Sequence, residues 1–494
     1  MSTLLKTIFV FALFQIAVFS LQAPVMAQDV EIKIIVESGS TILKVEGEFR
    51  QRKFENNKYW RFVDSYADVK HIAARVKDLR LFDSFGSSVK FRKLANNEYV
   101  AVGSVRKFSY KIDAGVLADI NSTAHVSWLS ESVGLLMLND LLPVSVSVKR
   151  KVKIRFLLPT GWRISTRERK LDSITFSVGD MGNAIFLVGK DWREETIRVG
   201  STEMKVFVAG AHQFEDADAG KIARSILREY KRVLGGIPFA RSRVFLVPFP
   251  RKVGFGRWRA ETRGTNIAIL SSPMAFKSQV IQRLHEQMRH EIFHLWIPKS
   301  LNLRGDYAWF YEGFAIYQAL KTGVWLGQIR FEDFLGTIGQ AYNLSNRSGR
   351  KFSLIDTSKR RWNGSNSAVY AKGLLVAFLV DISMLRKSRG KKDISSLFRA
   401  IYRKHNKKMP EREANESILN VLRKNGATKR IAEGYIEGSE KIDLSYALMS
   451  IGAENIGSLS VPRLQIKVKL TRREKALLKK LGYNRWRKYL RYQR

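Results

Sequence analysis

The 494-residue chain has no cysteine. Disulfides, thiolate zinc sites and lipid attachment through sulfur are excluded, so any bound metal must rely on histidine and carboxylate ligands. Export is not excluded, because a chain this long buries a core that stands without covalent staples. Acidic residues are also short: 45 Asp and Glu face 86 Lys and Arg, a net charge of +41. Such a field draws polyanions, among them anionic head groups, lipopolysaccharide, acidic wall polymers and nucleic acid. A basic proteome or a solubility requirement produces the same imbalance with no dedicated partner. Past the N-terminus no apolar run reads as long enough to cross a bilayer, and the run 374–380 reads as core.

What is present is globular: 45% hydrophobic residues with 29 Phe, 16 Tyr and 10 Trp exclude a disordered chain and allow two or three domains. Residues 1–27 read as a secretory signal peptide. Lys6 gives a basic start, the run 8–21 is broken only by Gln15 and Ser20, and Val25-Met26-Ala27 is a small-residue cleavage site. The mature chain would begin at Gln28 and be exported to the periplasm, envelope or medium. The alternative, an uncleaved anchor, has a short run soon followed by Pro24.

From 28 to 203 short alternating runs, such as 30–36, 148–158 and 173–178, are separated by turn signals at Asn96-Asn97, Pro159-Thr160-Gly161 and Gly179-Asp180. They predict an all-β domain. A strand at 204–209, a helix at 216–234 ended by Gly235-Gly236, and strands at 244–247 and 266–270 open a second domain. Between them, Gly254-Phe255-Gly256 with Arg257-Trp258-Arg259 reads as a loop. It lacks the third glycine and the lysine of a phosphate loop and is too short for a nucleic-acid patch, so no specific nucleic-acid partner is expected.

The chemistry gathers at His290-Glu291-Ile292-Phe293-His294. Apolar residues across 279–296 recur at helical spacing and Pro298 stops the pattern, so both histidines lie one turn apart on one face and can close on a single Zn²⁺. Glu312, 18 residues past His294, can supply the third ligand of an open-position zinc set, with Glu291 beside the metal-bound water. The other histidines, His71, His125, His212, His285 and His405, have no partner pattern and read as structural or solvated.

Three segments together, HEIFHLW, then WFYEGFAIY, then Val369-Tyr370-Ala371-Lys372-Gly373, resemble the signatures of the glycyl aminopeptidase family of gluzincin zinc metallopeptidases. The resemblance spans roughly 202–455. It implies an α+β chain in which the N-terminal β domain precedes a thermolysin-like gluzincin catalytic domain at 204–455, with a helical subdomain. It also implies one Zn²⁺ per chain on His290, His294 and Glu312, Glu291 as general base, Tyr370 as oxyanion donor, and a peptide or protein substrate. The strand 266–270 would edge the cleft. Where the family has Gly-Leu-Glu-His, this chain has Arg259-Ala260-Glu261-Thr262. Glu261 either holds a substrate α-amine or is a solvated loop carboxylate beside Arg259 and Arg263, so exopeptidase action stays open against endopeptidase action. The family's frequent PDZ domain has no room here.

In its place, residues 456–494 form a basic tail with Glu474 as its only acid beyond Arg463 and with Tyr483, Trp486, Tyr489 and Tyr492 interleaved. It reads either as a dock for an anionic envelope surface or as a solvated terminal helix. Against the peptidase stands a second expectation, an inactive gluzincin fold that binds peptides or anionic envelope polymers.

Overall fold

The computed structural model describes residues 29–50, 58–147, 151–347, 352–458 and 462–484. The signal-peptide reading of 1–27 lies outside them. The N-terminal part is β-rich. Its largest sheet runs β12 (Arg169–Lys170), β13 (Thr175–Val178), β10 (Val152–Leu157), β1 (Val30–Val36), β2 (Ile42–Phe49), β7 (Lys107–Asp113) and β4 (Val76–Phe82), antiparallel throughout except where β1 pairs parallel with β10. The alternation in β1 and β2 buries Val30, Ile32, Ile34, Leu43 and Val45 on one face and leaves the Lys and Glu positions outside. A three-stranded sheet of β3 (Tyr59–Arg61), β6 (Glu98–Ala101) and β5 (Phe91–Ala95) closes one side.

A four-stranded sheet is the middle layer, ordered β11 (Arg163–Thr166), β14 (Ile185–Gly189), β9 (Val133–Met137) and β8 (Trp128–Leu129). Strands β9 and β14 are buried at every position. Leu136, Phe186 and Val188 face the first sheet's core, while Leu135, Ile185 and Leu187 pack with Phe207, Phe245 and Leu270 of the next domain. Both faces are covered, so these strands carry continuous apolar runs without the alternation that marks a half-exposed strand.

The second domain's sheet is ordered β15 (Trp192–Val199), β16 (Thr202–Ala209), β17 (Arg241–Pro248), β19 (Asn266–Ser271) and β18 (Trp258–Arg263). The three central strands are parallel and both edges antiparallel. Two sequence expectations change here. The domain starts at β15, before residue 204, because the β15–β16 hairpin belongs to this sheet. The cleft edge is β18, read from sequence as loop, and the expected edge strand 266–270 lies inside, between β17 and β18.

The face of this sheet away from the middle layer carries helices α1 (Asp216–Leu234) and α2 (Lys277–His294), followed by a helical part built on α3 (Gly313–Trp325), α4 (Asn366–Lys387) and α5 (Ile394–His405). Gly235 ends α1 with φ 83°, the left-handed turn that spares a glycine the Cβ clash. By length and composition α4 can cross a membrane, contrary to the sequence reading, but 78% of its apolar window is buried inside the fold. The chain is thus α+β, a β-rich N-terminal domain followed by a largely helical part.

The described portion of the basic C-terminal stretch is neither a free tail nor a fully solvated helix. Leu464, Leu477, Leu478 and Leu481 join the main core, and helix α6 (Arg472–Lys480) begins with a Thr471–Glu474 capping box. Trp486, Tyr489 and Tyr492 lie outside the described residues.

Candidate active site

Helix α2 buries Val280, Leu284, Met288 and Ile292, four residues apart, against the core. The opposite face delivers His290 and His294 to a cavity of about 780 Å³ that Glu261, Glu291, Glu312 and Tyr370 also line. Glu312 sits at the junction between the turn Ala308–Tyr311 and α3. Nε2 of His290 lies 3.0 Å from Nε2 of His294 and 3.2 Å from Oε2 of Glu312. His294 Nε2 lies 3.6 Å from the same oxygen.

Donors on one tetrahedral zinc ion, at bonds of about 2.0–2.1 Å, stand roughly 3.3 Å apart. The three separations bracket that value, so the donor set fits a zinc ion. His294 Nδ1 faces the Ile297 carbonyl at 3.0 Å. A carbonyl only accepts, so the proton belongs on Nδ1 and the Nε2 lone pair is left for a ligand role. Burial works to raise the Glu312 pKa, but hydrogen bonds with both histidines and the Arg361 charge hold it well below the usual carboxylate range. Glu312 is therefore an anion, as a ligand must be.

Glu291 is 6% exposed, and Thr262 Oγ1 on β18 donates to its Oε2 at 2.6 Å. Arg361 Nη2 pairs with Glu312 Oε1 at 2.9 Å and donates to the Tyr370 oxygen at 2.9 Å. Burial, then the Glu312 charge, pushes the Tyr370 phenol well above its ordinary range, so it keeps its proton.

Glu261 is a cavity residue on β18 with its side chain 15% exposed. Tyr66 Oη donates to its Oε1 at 2.7 Å, His125 Nδ1 meets its Oε2 at 2.7 Å, and Arg263 Nε stands 3.6 Å from Oε1. Burial opposes ionisation, yet the His125 hydrogen bond and charge, with Arg263 and Lys299, bring its pKa to about 2. Tyr66 and His125 come from the N-terminal domain, His125 directly after the 3₁₀ turn Ile120–Ala124.

Every residue singled out from sequence for this site lines the one cavity. Those that sequence reasoning missed are Tyr66, His125, Thr262, Lys299 and Arg361. Thr262 carried a signal, since it stands where the resembled motif has histidine. His125 lies 136 residues from its partner and Arg361 is one of 86 basic residues, so neither is marked by local pattern.

No protein-family model matches the chain, and no curated protein does. Solved structures do match. An aminopeptidase N family protein from Idiomarina loihiensis is similar with a TM-score of 0.72 and 16% identity, covering 86% of this chain and 78% of that one. An M1 zinc metallopeptidase mutant from Deinococcus radiodurans gives a TM-score of 0.54 at 13% identity, covering 84% and 95%. An M1 zinc metallopeptidase mutant bound to a Tyr-Ser-Ala substrate, also from that organism, gives 0.53 at 12%, covering 84% and 96%. At these identities the likeness is one of fold: the chain shares the two-part α+β architecture of these M1 structures.

Proposed function

We propose that this chain is a zinc-dependent metallopeptidase acting on peptide substrates. The observation that carries the proposal is the convergence of His290, His294 and Glu312, all three donor atoms within 4.8 Å of one another, beside Glu291 in a peptide-sized cavity. The zinc metallopeptidase activity named for the structural neighbours, one of them bound to a tripeptide, supports it.

His290, His294 and Glu312 would hold a zinc ion, which would supply Lewis acidity near neutral pH. The chain's own groups do the rest. Glu291, held in place by Thr262, takes the proton of the attacking water and delivers it to the leaving nitrogen. Tyr370 donates to the carbonyl oxygen as charge develops there. Arg361 donates to the Tyr370 oxygen, and the neighbouring Glu312 carboxylate also engages the phenol. Strand β18 pairs only with β19 among the described residues, so its outer edge is positioned to add an extended peptide as a further strand. Aminopeptidase action is the finer form of this reading, and export through the leader-like residues 1–27 belongs with it.

The test pairs metal analysis with cleavage of a mixed peptide library. We expect one equivalent of zinc, and a Glu291→Gln variant that keeps its zinc while turnover falls about 10²–10⁴-fold. Unchanged turnover in that variant sinks the proposal, and the cut positions separate amino-terminal trimming from internal cleavage.

A further inference from the structure

Most of the wall around the metal cluster is charged or polar, and its tyrosines are already engaged. Tyr66 donates to Glu261, while Tyr311 and Tyr370 both accept from Arg361. Trp362 differs. Among the described residues it is the one large hydrophobic side chain left exposed by the fold that lines this cavity, with 40% of its surface open. A single exposed hydrophobic on a convex surface needs no explanation. An indole open inside a peptide-sized cavity supplies the apolar area on which a pocket's affinity rests.

The indole is also held in place. It sits in the wide turn Arg361–Ser365, where Gly364 at φ 81° leads the chain into α4, the helix that bears Tyr370. The Arg361 guanidinium lies 4.3 Å from the centre of the Trp362 ring. Every nitrogen of that guanidinium is committed: Nε to Asn366 at 3.1 Å, Nη1 to the Tyr311 hydroxyl at 3.2 Å, and Nη2 to both Tyr370 and Glu312 at 2.9 Å. The cation therefore fixes one face of the indole relative to Glu312 and Tyr370. Among the described residues no second ring or cation meets the other face, and the indole N–H has no hydrogen-bond partner. A ring held before a ligand arrives loses little freedom when one does.

Resting on the peptidase reading above, we propose that Trp362 is a specificity residue that stacks on an aromatic side chain of the peptide substrate, at a position next to the scissile bond. Arg361 ties the ring to Glu312 and Tyr370, the groups around the reacting carbonyl, so the side chain it meets belongs to a residue flanking that carbonyl. An extended peptide added along β18 sends successive side chains to opposite faces, so the preference falls on one position. The assignment holds for amino-terminal trimming and internal cleavage alike. A stacked aromatic pair separates Phe from a non-aromatic side chain of equal bulk by about three- to tenfold in affinity.

Zinc-loaded, full-length Glu291→Gln protein reads binding without turnover, and the wild type reads cleavage. The probes are alanine hexapeptides carrying one Phe or one cyclohexylalanine at each position in turn. The two side chains match in bulk, and only Phe offers a flat aromatic ring. We expect one position at which Phe binds about three- to tenfold more tightly than cyclohexylalanine, with the cut falling beside it. Trp362→Phe, added to Glu291→Gln, should keep that preference. Trp362→Leu, which keeps apolar bulk without a flat face, should bring the ratio near one. Equal binding of Phe and cyclohexylalanine peptides at every position, a Phe preference that survives Trp362→Leu, or a cut remote from the preferred position overturns the assignment. Wild-type cleavage without a Phe preference removes the tryptophan proposal alone. Phe-dependent binding without wild-type cleavage removes the peptidase reading alone, and no binding of any probe removes both.

Discussion

Arg361 stands between two groups with different needs, the carboxylate of Glu312, which we propose as a zinc ligand, and the phenol of Tyr370. One guanidinium serves both because its donors project as a rigid planar fork. Replacing it with methionine leaves Glu312 Oε1 buried without its cation and frees the Tyr370 oxygen to rotate. We expect Arg361→Met to weaken zinc affinity about 10–100-fold, as loss of a group supporting a metal ligand does, measured by competition with a chromogenic chelator. Tyr370→Phe should differ: zinc is retained and kcat falls about 10²–10³-fold, because the donor matters only as charge develops on the substrate oxygen. Equal zinc loss in both variants would place Tyr370 in the structural support instead. At this scale His290, Glu291 and His294 are legible because helix periodicity fixes their relation within one short segment, whereas Glu312 lies on a separate element and is marked by its downstream motif. His125 and Tyr66 are not, since their relation to Glu261 exists only once two domains have packed.

The glycines of the two later motifs have a packing reason that their spacing does not reveal. Gly313 opens α3 and Gly373 lies in α4, and a Cβ on either would run into the other's backbone. A Cβ on Gly373 would also lie 2.7 Å from the Trp309 carbonyl. Only glycine lets the element bearing Glu312 and the helix bearing Tyr370 approach this closely. Gly373→Ala is expected to cost about 1–3 kcal/mol in denaturant unfolding and to lower activity through the displaced pair. The same helices are tied by a buried ion cluster: Lys321 reaches Asp381 at 2.7 Å and Asp393 at 3.1 Å, while Tyr317 donates to Asp381 at 2.6 Å. With Asp381 fully buried, Lys321→Met should cost about 3–5 kcal/mol, and Lys321→Met with Asp381→Leu should recover much of it. A double variant no better than the single one would refute the charge argument. Helix α1 is predicted over 216–234 and found at Asp216–Leu234, because its apolar spacing is regular and a glycine pair ends it. Strand β18 is concealed in the sequence because Arg259, Glu261, Thr262 and Arg263 leave no apolar alternation; among the described residues it pairs with β19 alone.

At the scale of the whole molecule the middle sheet decides what the cavity is. By packing one face on each domain it fixes the Ile120–Ala124 turn over the second domain's edge strand, and so brings His125 and Tyr66 onto Glu261. Domain docking and the active-site wall are therefore the same contact, and pH should report on both. The Glu261 carboxyl is at about 2 in the folded chain against an ordinary 4.5. A pKa depressed on folding means stability that is present above the unfolded value and is lost as pH falls towards the folded one, so the window is about pH 4.5 down to 2. That gap corresponds to roughly 3 kcal/mol in the ionised state. Other carboxylates titrate in the same range, which makes the difference from Glu261→Gln the informative quantity. We expect the wild-type Tm to drop faster than the variant's across this window and the two curves to converge near pH 2. Parallel curves would mean that Tyr66, His125 and Arg263 hold the neutral amide as well as the carboxylate, and that the charge of Glu261 takes no part in joining the domains.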